Sequence, residues 1–342
     1  MKSMERVLTS LSFIEPDRVP LFLLFTMHGA KELKISIQEY FSKSESVVEG
    51  QLLLRQKYEH DCYYSFYYAA IETEAFGGEV IYQEDGPPNA GKPIFTKESV
   101  KNVKIPNVKE TACLVKVLNC IQGLKQYSKS EVPIIGVVMS PFSLPVMQLG
   151  FENYLELLHY DTEIFWELMR LNMEFCVEWA NAQIEAGANA ICYFDPISSP
   201  TIIPINQYLN TGWKIAKETI AKIGGLVAVH FASGISNPII ENTIMSGASI
   251  VGVSFLDSLE DIKILSYQKA SILGNLDGIK MASWTEDEAE ENVKRTIQKV
   301  GEGGGFILSD NHGEIPYQVP NFVLQKISDS VKKWGRYPLQ IN

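Results

Sequence analysis

No Cys-x-x-Cys occurs in this sequence, and its five cysteines (Cys62, Cys113, Cys120, Cys176 and Cys192) lie far apart. That spacing gives no disulfide framework and is ordinary for reduced thiols. No cluster of Lys and Arg interrupts a chain of formal net charge −11, so nucleic acid is not an expected partner. No apolar run approaches the roughly 18 residues of a spanning helix, and the opening MKSMERVLTSLSFIEPDRVP lacks a signal-peptide core. We therefore expect a cytoplasmic protein with no membrane association. A GxGxxG after an early strand, a short-period repeat and a low-complexity tract are also missing, which removes the dinucleotide fingerprint and the solenoids.

What is present is a well-packed globule: 46% of the residues are hydrophobic and 21% charged over 342 positions. The stretch from Gly224 to Gly278 sets the pattern, with three short apolar runs, GGLVAVHFASG, ASIVGVSF and KASILGNLDG. Apolar runs without alternation suit strands buried on both faces, as in a parallel sheet. Further strand candidates are Val19 to Phe25, the Tyr- and Phe-rich DCYYSFYYAAIETEAFGG, Pro133 to Met139, Asn189 to Phe194, and Phe306 to Ser309. Helical stretches separate most of them. Eight strand candidates alternating with helices imply an α/β chain, a single-domain (β/α)8 barrel over residues 1–342. The polar segment 84–93, EDGPPNAGKP, reads as a lid-like loop or small hairpin near the mouth.

In such a barrel, ligands sit at the carboxyl ends of the strands. The residues at those ends are His28, Glu72 and Glu74, Met139, Asp195, His230 and Ser254, then Asn275 with Asp277, and Asp310 with Asn311 and His312. Acidic, amide and imidazole groups over an apolar barrel suit a planar heterocycle with polar edges. A carboxylate accepts two parallel hydrogen bonds from a guanidine-like edge, and Asn both donates and accepts. Tyr63, Tyr64, Phe66 and Tyr67 could stack on a ring. Each residue also has a purely structural alternative. Asp195 before Pro could cap a turn, Asn275 and Asp277 could be turn chemistry, and His230 could be a satisfied core histidine. Glu72 and Glu74 could lie on a solvated helix surface, and the Tyr cluster could be core packing.

Several blocks carry a resemblance: RVLTSLSFIEPDRVP, EAFGGEV, SPFSLPVMQLGFENYLELL, AQIEAGANAICYFDP, VAVHFASG, ILGNLDG, GGGFILSDNHGEIP and the terminal RYP. In this order they make the chain resemble the uroporphyrinogen decarboxylase superfamily, specifically its cobalamin-dependent methyltransferase branch. The resemblance covers nearly the whole chain and implies a (β/α)8 barrel. The decarboxylases carry an Arg-rich motif after the first strand; here that place reads LFLLFTMHGAKEL, without arginine. Thiol-methylating members hold zinc with a His-x-Cys pair and a later Cys. Here the pair reads His230-Phe231-Ala232, and the later position falls at His312.

The resemblance, with both sulfur ligands missing, implies a nitrogen acceptor and no metal. The expectation is methyl transfer from methylcobalamin, carried on a partner corrinoid protein, to N5 of tetrahydrofolate. His230, Asp195 and His312 would be catalytic, and Asn275, Asp277, Asp310, Asn311, Glu72 and Tyr64 would hold the pterin. No DxHxxG cobalamin segment occurs in the chain. The alternatives are a thiol methyltransferase with a His-based zinc site and, behind it, a decarboxylase.

Overall fold

A computed structural model describes residues 1–340. Seven strands form one parallel sheet: β1 Tyr63–Tyr64, β2 Ile134–Met139, β3 Ala190–Phe194, β4 Leu226–His230, β5 Ile250–Gly252, β6 Ser271–Leu276 and β7 Phe306–Asp310. Each pairs in register with the next, for example Phe194 with His230 and Asn275 with Ser309. Helices fill the crossovers, and the whole is an α/β barrel-like fold.

The segment Val19 to Phe25 is not a strand, which corrects the expectation of eight. It makes a single parallel bridge, Leu21 to Leu308. The carbonyl of Pro20 accepts from Leu308 and the carbonyl of Leu308 accepts from Phe22. Pro20 has no N–H to give a ladder. On the other side, one backbone bond, from Asp61 N to the Leu21 carbonyl (2.7 Å), is supplemented by side chains. The amide of Gln51 donates to the Phe25 carbonyl (2.9 Å) and accepts from Tyr64 N (2.9 Å), while Asp61 takes the N–H of Leu21 (2.9 Å). Both edges of the sheet thus meet on this segment, which occupies the place of a further strand without its ladder.

Alternation along the strands sorts the core into two layers. Phe22, Leu24, Tyr64, Val137, Cys192 and Ile307 belong to the cluster inside the curled sheet. Leu23, Phe25, Val138, Ile191 and Leu308 belong to the larger layer between sheet and helices. Gln183, on the helix Thr162–Ala186, binds both the N–H and the carbonyl of Val137 (3.0 and 2.9 Å) and so locks β2 to that helix. The helix Glu286–Val300 begins with a capping box between Thr285 and Glu288. The segment 84–93 includes part of a small antiparallel pair, Val80–Ile81 with Asn89–Ala90, and the carbonyl of Asp85 accepts from Gln318 (2.6 Å). No helix of the described residues is long and apolar enough to cross a membrane.

Candidate active site

The last strand supplies the densest group at the carboxyl ends. Asp310 closes β7 and its Oδ2 accepts from the backbone N–H of His312 (2.7 Å) and Gly313 (3.0 Å). Burial pushes its carboxyl up to about 6, against the pull of those donors. Glu314 follows. Burial and the neighbouring Asp310 charge raise it to about 8, and its Oε1 is enclosed without a hydrogen-bond partner. Asn311 donates its backbone N–H to the Leu276 carbonyl and accepts from Gly278 N (3.1 Å), joining the ends of β7 and β6. Its Nδ2 is enclosed and unpartnered. Asn275 does the same one strand earlier, donating to the Ser254 carbonyl (2.8 Å). Asp277 accepts from Lys280 N (3.2 Å).

His230 ends β4 with its ring flat against Phe194, at 5.0 Å between centroids and 4° between planes. Its Nδ1 accepts from Ala232 N (3.0 Å), so the proton of the neutral ring sits on Nε2, which has no partner. Burial and the nearby His312 hold it neutral, with its pKa lowered to about 3. Phe194 in turn stacks on Phe66 (6.4 Å, 12°), and Phe66 lies against Tyr64 (5.8 Å). Four aromatic rings thus run in a row across the mouth. Phe66 and Phe194 are partly exposed, while Tyr64 and His230 are buried. Tyr64 does not offer a free face: its hydroxyl donates to the Gly313 carbonyl (2.7 Å).

Other expected residues are engaged by groups of the protein itself. Asp195 is buried, and its Oδ1 accepts from the hydroxyls of Ser140 (2.6 Å) and Ser143 (2.8 Å), tying the ends of β2 and β3 together. Burial raises its pKa against the serine bonds. Glu72 is not on a solvated helix surface. It is 3% exposed and accepts from Met139 N (3.0 Å), with burial pushing its carboxyl up to about 7. Glu74 accepts from the Tyr68 hydroxyl (2.6 Å). Tyr67 and Tyr68 are core, and Tyr63 faces a cavity at the amino ends. His28 is buried between Phe25 and Tyr317 with both ring nitrogens unpartnered.

The structure therefore brings His230, Asp310, Asn311 and His312 together and sets Asn275 and Asp277 beside them. Asp195 and Glu72 are instead buried against Ser140 and Ser143 and against Met139 N. Phe194 and Glu314 are residues of this end that the strand-end reading of the sequence misses. Phe194 was legible in principle, since it falls in the inward phase with Ala190 and Cys192. Glu314 had no clear local signal, because its burial and its contact with Met27 are made only by the fold. His312 is half-buried with an unpartnered Nδ1. Among the described residues no group of three or more His, Cys, Asp or Glu converges as a metal site.

Cations are few at this end: Lys280 pairs with Asp277 (3.4 Å) and, with Lys299, lines the cavity beside it, while most arginines lie elsewhere. Of the six arginines, Arg6, Arg18, Arg55 and Arg336 line a cavity at the amino ends of the strands. Arg170 lies in a groove against Glu218 and Lys222. Arg295 lines a 480 Å³ cavity shared with Asn275 and Asp277, and its guanidinium donates to Asn292 (2.6 Å). None follows the first segment or stands in the loop after β7.

The uroporphyrinogen decarboxylase family model matches residues 2–334. Uroporphyrinogen decarboxylase of Mannheimia succiniciproducens is 23% identical over 307 residues, 82% of each chain. That of Carboxydothermus hydrogenoformans is 25% identical over 313 residues, 86% of each. Among solved structures, a methyltransferase from Methanosarcina mazei superposes with a TM-score of 0.86 at 17% identity, covering 97% of this chain and 99% of that one. A B12-independent methionine synthase from Shewanella gives 0.55 at 14% identity, over 86% and 89%. The structural likenesses speak for the fold, and the family match over nearly the whole length places this chain in the uroporphyrinogen decarboxylase family.

Proposed function

We propose that this chain is a methyltransferase that moves a methyl group from methylcobalamin, held on a separate corrinoid protein, to N5 of tetrahydrofolate. The observation that carries the reading is the make-up of the mouth. Half-exposed aromatic faces (Phe66, Phe194) adjoin carboxylates, amides and His312, and no arginine stands in the loop after β7. A substrate with many carboxylates needs cationic partners, which argues against the decarboxylation named for the curated relatives. A pterin instead needs a flat apolar face and acceptors for its guanidine-like edge. We assign the face to Phe66 and Phe194 and the edge to Asp277 with Asn275. The corrinoid enters as a substrate on its own protein, and 1–342 is read as one closed barrel domain.

In the step itself N5 attacks the methyl carbon as the carbon–cobalt bond breaks, and the electron pair stays on cobalt as cob(I)alamin. The N5 proton must then leave. His312, with its free Nδ1, is our candidate acceptor, and Asp310 holds that turn through its backbone bonds. His230 stays neutral as the floor of the aromatic row. Positioning two large reactants in line supplies much of the rate.

The test is a panel: purified protein with methylcobalamin and, separately, tetrahydrofolate, coenzyme M and homocysteine, plus uroporphyrinogen as a decarboxylation substrate. Cobalamin spectra report methyl loss, and bound metal is measured on the same preparation. Transfer to tetrahydrofolate alone supports the reading. Transfer to a thiol with stoichiometric zinc, or carbon dioxide release from uroporphyrinogen, overturns it.

A further inference from the structure

The cavity at the amino ends of β1 and β2 measures about 720 Å³ and lies at the opposite end of the sheet from the candidate active site. Most of its charge is consumed internally. Arg6 pairs with Asp61 (2.6 Å) and Asp17 (2.6 Å), Arg18 with Asp61 (2.7 Å), and Lys332 with Glu59 (2.7 Å). These pairs have a structural use, since Asp61 also accepts from Leu21 N and Ser3 and so ties the first segment to the opening helix. The amino-end face of a barrel is ordinarily the stability face.

Two guanidinium groups on the same cavity form no ion pair: among the described residues neither Arg55 nor Arg336 has a carboxylate within ion-pair distance. Arg55 donates one N–H to Ser3 Oγ (3.1 Å) and lies 5.8 Å from the Tyr63 ring, while its Nε is enclosed without any acceptor. An enclosed donor without a partner costs free energy that an incoming acceptor recovers. Arg336 is exposed at the rim. In a chain of net charge −11, a cavity holding two uncompensated guanidinia collects anions against the surrounding field.

We propose that this cavity is a second ligand site, for a small phosphate-bearing anion. A planar guanidinium matches a phosphate by two parallel N–H···O bonds, and the volume lies in the range of sites that enclose small organic molecules. Arg55 and Arg336 bind the phosphate oxygens, and Tyr63 forms one wall. The proposal is independent of the reaction at the carboxyl ends.

The test titrates the full chain with inorganic pyrophosphate at constant ionic strength, balanced with sodium chloride, and reads the thermal midpoint and the phosphorus NMR linewidth. The expected result is a saturable rise of the midpoint and broadening of the phosphorus signal. Both should weaken at least tenfold in Arg336→Gln, whose exposed position leaves folding intact, and also in Arg55→Lys, which keeps the charge but loses the fork. Asp277→Asn, at the other end of the sheet, should bind as the parent does. A rise that never saturates and is matched by chloride, or pyrophosphate binding that is equal in Arg336→Gln, overturns the site.

Discussion

His230 and Phe194 lie face to face at the ends of adjacent strands, 5.0 Å and 4° apart, and Gly313 closes over them. A Cβ on Gly313 would come within 2.2 Å of the Phe194 ring, and its φ of 81° is one that other residues rarely adopt. The loop after β7 reaches the aromatic row only because position 313 is glycine. Gly313→Ala should cost about 1–3 kcal/mol of stability and reduce turnover more steeply than binding. Denaturant midpoints and steady-state kinetics check this, and parental values for both would remove Gly313 from the site.

Phe66, partly exposed, stands between Phe194 and Tyr64 in that row. If a pterin lies on it, Phe66→Ala removes a stacking contact of about 0.5–1.5 kcal/mol. The acceptor KM should then rise about threefold to tenfold, with kcat changed less. An unchanged KM would falsify the assignment of this face.

His312 has its Nδ1 free and its pKa lowered, burial outweighing the opposing charge of Asp277. As proton acceptor it would give an acid limb in the pH–rate profile with a midpoint below 6.5. His312→Gln should abolish that limb and lower kcat by about a hundredfold or more. Retention of the limb in the variant would move the role to another group.

Glu314 bears on stability rather than on rate alone. Its folded pKa of about 8 lies above the ordinary value of 4.5. The native state therefore holds the proton more tightly than the unfolded chain does. The contribution is complete below pH 4.5 and is lost as pH rises through about 8. The parent should lose stability between pH 7 and 9 relative to Glu314→Gln. Urea midpoints at the two pH values measure the difference, and parallel curves would contradict it.

Asp61 is 1% exposed and bonds Arg6, Arg18, Ser3 and Leu21. Asp61→Ala leaves Arg18 without its counter-charge, leaves Arg6 with Asp17 alone, and frees the first segment. A loss of about 3–5 kcal/mol is expected. A loss below about 1 kcal/mol, measured by urea unfolding, would show that the segment is held by its apolar side chains instead.

Much was legible from the order of residues. Buried parallel strands announce themselves as unbroken apolar runs, so β2 to β7 fall where the runs do, and the polar residue ending each run marks the mouth. Family membership was legible too, because blocks such as AQIEAGANAICYFDP and GGGFILSDNHGEIP are local strings. The first segment misled because VPLFLLF has the composition of a strand, while its pairing depends on Gln51 and Asp61, which are distant in sequence.

Tertiary structure decided how each strand-end acid is engaged. Asp195, Glu72 and Asp310 look alike in sequence, as acids near the end of a run. Asp195 is consumed by Ser140 and Ser143, and Glu72 by the backbone of Met139. Asp310 accepts from the backbone of His312 and Gly313 and lies beside Glu314 and an unpartnered amide of Asn311. Apolar runs reflect a burial demand that each strand carries in its own residues. The exposure and protonation of a polar side chain depend on which groups fold against it, and for Asp195 and Glu72 those groups are more than fifty residues away, outside any local string.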